Sequence, residues 1–531
     1  MVSFLFFFCL SLFAEESTHI VREAPSYGDA IVVGSIGDAR RLIPILASDS
    51  ASGDITGLLF NGLIKYDKDL KLTGDLAESW EVTDGGLEIV FHLRHDVRWH
   101  DGAPFTAADV QFTYQKLLDP TVITPYSGDF KMVESLEVLD DYTVRVTYKE
   151  PFAPGLSSWG MGIIPKHLLE NKDINTTDFG RNPVGTGPFR FRRWKTGERI
   201  ELSANPDYFE GEPYISSYIY RIMDQSAMFL ELQTEGIDMM GLSPLQYKRQ
   251  TDTRFFQTHY QKYKYPSFGY TYMAFNLADP RFQDRRVREA INYAIDKEEI
   301  IQGVLLGYGR VCTGPFPPES WAYNKDIKPV PFDPKRARDI LAEAGWRDSD
   351  NDGVLDKDGQ PFVFTIITNQ GNDQRKMACE IIQRRLGEVG IKVKIRIIEW
   401  SVFISEFVNK RRFEALVLGW GLSREPDPYD IWHSSKTKEG EFNFIGYNNP
   451  EADRLMEDGR RIFDQDERSL IYRRIHEILY QDVPYVFLYV PDALPIVHAR
   501  FHGIEVAPAG IGHNFIKWYV PENQQKYRLL Q

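Results

Sequence analysis

Between Asp348 and Asp356 the chain reads DSDNDGVLD. Asp348, Asp350, Asp352 and Asp356, with Gly353 at the turn, fit positions 1, 3, 5, 9 and 6 of a calcium-binding loop. The twelfth position is Gly359 rather than a bidentate Glu, and no helix pair flanks the loop. A structural calcium site and a solvated acidic turn are the two readings. His92, His95 and His100, with Asp96 and Asp101, are metal-ligand types close in sequence. Strand alternation puts His92 and His95 on opposite faces, which is wrong for joint ligation. Polar hairpin positions are the expectation. Glu425, Asp427 and Asp430 in SREPDPYD could supply a glycosidase pair, but nothing selects them from the background of an acidic chain. Gly-x-Ser-x-Gly, His-Glu-x-x-His, Cys-x-x-Cys and phosphate-loop patterns are missing. No catalytic residue is expected.

These groups must be held by a large scaffold. At 531 residues the chain exceeds one core, so two or three domains are expected. Asp and Glu total 76 against 62 Lys and Arg, a net charge of −14. That argues against nucleic acid, whose phosphates need clustered positive charge. Val2–Phe13 is an uncharged apolar run, too short to span a bilayer and suited to a signal sequence that ends at Ala14. Export follows. Cys9 lacks the small-then-polar setting of a lipidated cysteine, and free and anchored forms both stay open. Cys312 and Cys379 remain, and their spacing does not decide whether they pair. Cys379 sits on an apolar helix stripe and reads as a buried thiol.

Residues 87–99 alternate and read as a hairpin or strand pair. Asp101-Gly102 is a turn, and Thr106 with Asp109 makes a capping box for a helix that stops before Pro120. VESLEVLDDYTVRVTY reads as a second strand pair, and RNPVGTGPF as a bend between domains. Asp333-Pro334 opens a helix that Gly345 closes. PFVFTIIT, a helix ended by Gly390, and IKVKIRII give strand–helix–strand and hence a parallel pair. Ile391, Val393, Ile395 and Ile397 form the expected buried face of that last strand. No long linker appears, so several chain crossings are expected to interleave the domains.

The segment Leu76–Pro120 resembles the hallmark of bacterial solute-binding family 5, the peptide- and nickel-type binding proteins of ABC transporters. NPVGTGPF, AFNLADPRFQDRRVREAINYAID, FDPKRARDILAEAGW and GWGLSREPDPYDIWHSS extend the resemblance in order. It implies an α/β bilobed flytrap with mixed sheets flanked by helices. Residues 15–65, 184–270 and 490–531 would form the first lobe, with 66–183 inserted as a subdomain and 271–489 as the second lobe.

The implied function is capture of an oligopeptide between the lobes and delivery to an inner-membrane permease, by a periplasmic monomer with no cofactor. Nickel chelates, haem, sugars or opines are the alternative ligands, and a secreted hydrolase the rival class. Ser48, Asp49 and Ser50 match ligand-facing positions of the first lobe, and Tyr126 a tyrosine facing the cleft. Gly419, Trp420 and Gly421 match the strand that pairs with ligand backbone. Relatives often carry an Asp three residues after that Trp, to hold the ligand amine. Here Ser423 stands there. Asp427 or Asp430 could substitute, or Arg424 could favour an anion.

Overall fold

The computed structural model describes residues 24–527, so the apolar leader and its cleavage point lie outside the described residues. Two seven-stranded sheets dominate. In the first, Gly28–Ser35 runs parallel to Ile215–Ile222 and Met239–Gly241. Pro495–His498 joins beside Met239–Gly241, so both ends of the chain meet in one core. The second sheet contains Gly269–Phe275, Val363–Asn369, Lys392–Ile398, Ala415–Gly421 and Tyr485–Ala493. The chain crosses between the sheets around residues 262–269 and again around 493–495.

Val363–Asn369 and Lys392–Ile398 pair in parallel, with the helix Asp373–Gly387 between them. The alternation of the second of these strands fails at its end. Ile397 is 43% exposed and Ile398 is buried, because the pleat gives way as the chain leaves the sheet. Cys312 and Cys379 are both buried free thiols, and burial pushes each up to about 12.

A smaller sheet of four antiparallel strands, Ala77–Thr83, Glu88–Leu93, Thr143–Tyr148 and Val133–Asp140, is inserted after the first strand of the first lobe. Residues 87–99 therefore supply one strand, not two. Glu88–Leu93 takes both neighbours from elsewhere in the chain, and the rest is loop. The helix Ala107–Leu118 packs on this sheet. Asp109 reaches back to the Thr106 amide at 3.1 Å. The same carboxylate accepts Trp99 Nε1 at 3.2 Å and the Lys166 amide at 2.9 Å.

The bend Asn182–Phe189 joins this subdomain to the first lobe by close backbone approach. A Cβ on Gly185 would lie 1.7 Å from the Leu59 carbonyl oxygen. His100 braces the bend, accepting the Gly185 amide at Nδ1 (3.1 Å) and placing Nε2 at 3.0 Å from the Gly187 carbonyl. That geometry needs the neutral ring, and burial lowers its pKa to about 4.

Candidate functional site

A cavity of about 700 Å³ lies between the helix Ser50–Leu59, the inserted subdomain and the strands Gly269–Phe275 and Ala415–Gly421 of the second sheet. Ser48, Asp49, Ser50, Tyr126, Gly419, Trp420, Gly421, Ser423, Asp427 and Asp430 all line it. Asp49 caps the helix Ser50–Leu59, accepting the Ser52 amide at 3.0 Å and the Ser52 hydroxyl at 2.8 Å. Trp400 of the second lobe donates to the same carboxylate at 3.3 Å. Asp49 thus positions a helix end against the opposite lobe. Tyr126 donates its hydroxyl to the Ala47 carbonyl at 2.6 Å, and its ring meets Phe442 edge-on at 5.7 Å. Burial, with Asp430 and Asp49 nearby, holds its phenol well above the ordinary range. Trp420 serves core and cavity together. It stacks on Phe444 at 5.7 Å and Tyr272 at 6.2 Å while its remaining surface faces the cavity.

The backbone of Ala415–Gly421 has an open side. On one side it pairs with Gly269–Phe275 throughout. On the other it pairs with Val363–Asn369 only at Ala415 and Leu416. The Leu422 amide donates to the Phe268 carbonyl at 2.9 Å. Antiparallel bonding alternates along a strand, so Trp420 and Leu418 also turn their amides to that partner. Gly419 and Gly421 then point N–H and C=O the other way, toward the unpaired edge. Two residues before Gly419, Val417 O already accepts the Thr368 hydroxyl on that edge at 2.9 Å.

The charges around the cavity are mostly paired within the second lobe, and one pair reaches the inserted subdomain. Arg460 binds Asp427 through Nε at 2.8 Å and also binds Asp129 of the inserted subdomain. Ser158 donates to Asp129 at 2.8 Å. Burial pushes the Asp129 carboxyl up to about 6, with Arg460 pulling it down and Asp430 and Asp427 pushing it up. Lys436 Nζ lies 3.0 Å from Asp430 and donates to the Pro125 carbonyl at 2.8 Å. Arg468 holds Glu425. The three carboxylates considered above for a glycosidase therefore each sit on a cation. Arg424 is outside the lining, with its guanidinium 4.3 Å above the Phe268 ring. Ser423 is exposed and uncharged.

Sequence reading missed Arg375. It lines the cavity next to Gly419, where an added Cβ would lie 2.8 Å from its Nη2. Nη1 donates to Asn369 at 2.9 Å, and no carboxylate pairs with it among the described residues. Burial lowers its pKa. A cue existed in the sequence. Asn372 caps the helix Asp373–Gly387, so Arg375 sits in the first turn, where the helix dipole disfavours a cation.

The acidic loop fits a metal only in part. Ligand atoms of Asp348, Asp350 and Asp352 converge within 4.8 Å, and no other His, Cys, Asp or Glu group does so among the described residues. Asp356 is turned elsewhere, accepting the Ser349 amide at 2.9 Å and hydroxyl at 2.7 Å. Asp348 and Asp350 accept amides of their own turn. The His95 ring packs against Tyr142, tilted by 33° with centroids 3.9 Å apart, and takes no part in a metal-type cluster.

Residues 71–442 match the family model described as bacterial extracellular solute-binding proteins, family 5 middle. The oligopeptide-binding protein AppA of Bacillus subtilis (strain 168) is 37% identical over 93% of this chain and 92% of that protein. The solved structure of AppA from Bacillus subtilis in complex with a nonapeptide aligns with a TM-score of 0.90, covering 94% of this chain and 100% of that one. NikZ from Campylobacter jejuni in complex with Ni(L-His) aligns with a TM-score of 0.84 at 28% identity, covering 92% and 99%.

Proposed function

The chain belongs to the bacterial extracellular solute-binding proteins of family 5, and from that premise we propose that it captures oligopeptides for an ABC importer. The observation that carries this reading is the open edge of Ala415–Gly421 on the cavity wall. A peptide in extended form adds to it as a further strand. Main-chain bonds to Gly419 and Gly421 then supply affinity without reading side chains. Neither glycine has a side chain to obstruct the approach. Arg375, half-buried and lacking a carboxylate among the described residues, completes such a ligand by receiving a carboxylate. With Ser423 uncharged, no acid at that position holds the ligand amine.

No helix among the described residues is long and apolar enough to cross a membrane. The protein acts as an exported monomer, periplasmic in a two-membrane cell, free or lipid-anchored. It hands ligand to permease subunits when the lobes part. Binding and release ask for no chemistry on the ligand.

Native mass spectrometry on protein purified without denaturation from a bacterial periplasm tests the reading. A spread of adducts at peptide masses, lost on unfolding, is the expected result. A single non-peptide mass, such as a metal chelate, overturns the peptide assignment and leaves the family intact.

A further inference from the structure

A second cavity, of about 360 Å³, opens off the first where the helix Ser50–Leu59 meets the inserted subdomain. The two adjoin, with Tyr126, Asp129, Ser157, Ser158 and Asp430 among the residues common to their walls. Gly53, Thr56, Gly57 and Phe60 line it. The first three have the i, i+3, i+4 spacing of a single helical face, and Phe60 is the extended residue that ends the helix.

Two of the four are glycine, the poorest helix former after proline, in a helix of 10 residues. Other glycines around the cavity have a steric reason. A Cβ on Gly62 would lie 2.5 Å from the Gly160 carbonyl oxygen, and one on Gly162 would lie 2.9 Å from Pro44. Gly53 and Gly57 have no such reason, since a Cβ on either meets nothing within 4 Å. Their effect is to keep space open beside the helix.

The chemistry of the walls is one-sided. Phe60 and Met161 give apolar surface, Asp129 and Asp430 give carboxylates, and no Lys or Arg lines the cavity. Asp129 is engaged by Arg460 and Ser158. Lys436 Nζ stands 3.0 Å from Oδ1 of Asp430, yet that oxygen is buried and makes no hydrogen bond among the described residues. Around this junction Asp129, Asp427, Asp430 and Glu441 share the two cations Arg460 and Lys436, which leaves negative charge unbalanced.

We propose that this side cavity is a subsite for a basic side chain of the bound ligand. The apolar stem lies along Gly53, Gly57 and Phe60, and the cation at its tip reaches Asp430. Lysine and arginine carry such a stem and charged head, whereas an acidic side chain would meet the unbalanced negative charge. The inference rests on the peptide reading and adds a preference within it.

Calorimetry on an alanine-based host peptide tests it, with lysine, norleucine or alanine placed at one position at a time. The expected result for the parent protein is one position at which lysine binds at least about tenfold tighter than norleucine. Gly57→Met fills the cavity. It has room and improves the helix, so folding is retained, which a thermal melt checks. This variant is expected to lose the lysine preference and keep the parental affinity for the all-alanine host. Asp430→Asn is expected to bring lysine level with norleucine. The subsite is overturned if no position prefers lysine. It is equally overturned if the preference survives Gly57→Met, or if that variant weakens all peptides alike. A parent protein that binds no host peptide sinks the peptide reading itself, a different outcome from binding without positional preference.

Discussion

Arg375 sets the clearest conflict between stability and binding in the molecule. Its guanidinium is half-buried, bonded to Asn369 and without a carboxylate among the described residues. A buried charge lacking a partner destabilises a fold, so its presence at the cavity points to a partner that arrives with the ligand. Arg375→Met is expected to weaken peptides with a free terminal carboxylate by roughly 10–100-fold, the equivalent of about 1.5–3 kcal/mol for a charge-assisted bond. Amidated peptides should change far less, and the melting temperature should hold or rise. Calorimetry with paired free and amidated peptides, beside a thermal melt, checks both. At this scale the sequence was readable where a residue sits inside a recognisable local pattern, as Gly419-Trp420-Gly421 does. Arg375 belongs to no such pattern, and only its unfavourable place in a first helical turn hinted at a role.

At the scale of elements, the capping box at Thr106 and Asp109 was legible because its partners are three residues apart. What Asp109 does beyond capping was not. Its carboxylate also accepts Trp99 Nε1 and the Lys166 amide, donors 10 and 57 residues away, and so ties a loop and a second helix to the first. Asp109→Ala leaves one buried and two half-buried donors without an acceptor and is expected to cost roughly 3 kcal/mol, at about 1–3 kcal/mol for each orphaned group with partial rescue by water. Asp109→Asn keeps an oxygen and should cost about half as much. Denaturant unfolding monitored by tryptophan fluorescence measures both. The strand Glu88–Leu93 shows the opposite limit. Its alternation announced a strand, but only pairing with Ala77–Thr83 and Thr143–Tyr148 settled that residues 87–99 hold one strand.

At the scale of the whole molecule, closure is held by contacts between distant segments. Lys436 reaches the Pro125 carbonyl, Arg461 reaches Glu150 at 2.7 Å, and Arg460 joins Asp427 to Asp129. Burial in the closed form pushes Asp129 up to about 6, against the influence of Arg460 and with that of Asp430 and Asp427. With the lobes apart, solvent returns this carboxyl toward the ordinary value near 4. The closed form therefore binds a proton more tightly, and closure is favoured as pH falls from above 6 toward 4. Ligand affinity is expected to rise by up to about tenfold between pH 7.5 and pH 5, and Asp129→Asn should flatten that dependence. Calorimetric titrations across this range check the sign. Affinity that instead falls with acidity in the parent protein contradicts it.

The sequence by itself determined the α/β class, the starts and stops of the helices Ala107–Leu118 and Pro334–Glu343, the parallel strand pair around Asp373–Gly387 and the family. Periodicity, caps and motifs are properties of neighbouring residues, so they survive without coordinates. It also named ten residues that the fold gathers on one cavity. Only the tertiary structure decided which charges there are free. Arg460 and Asp129 stand 331 positions apart, Trp400 and Asp49 stand 351 apart, and nothing local in either pair foretells the other. The open strand edge at Gly419 and the empty space beside Gly57 are likewise defined by what fails to pack there, and that depends on every segment folded around them.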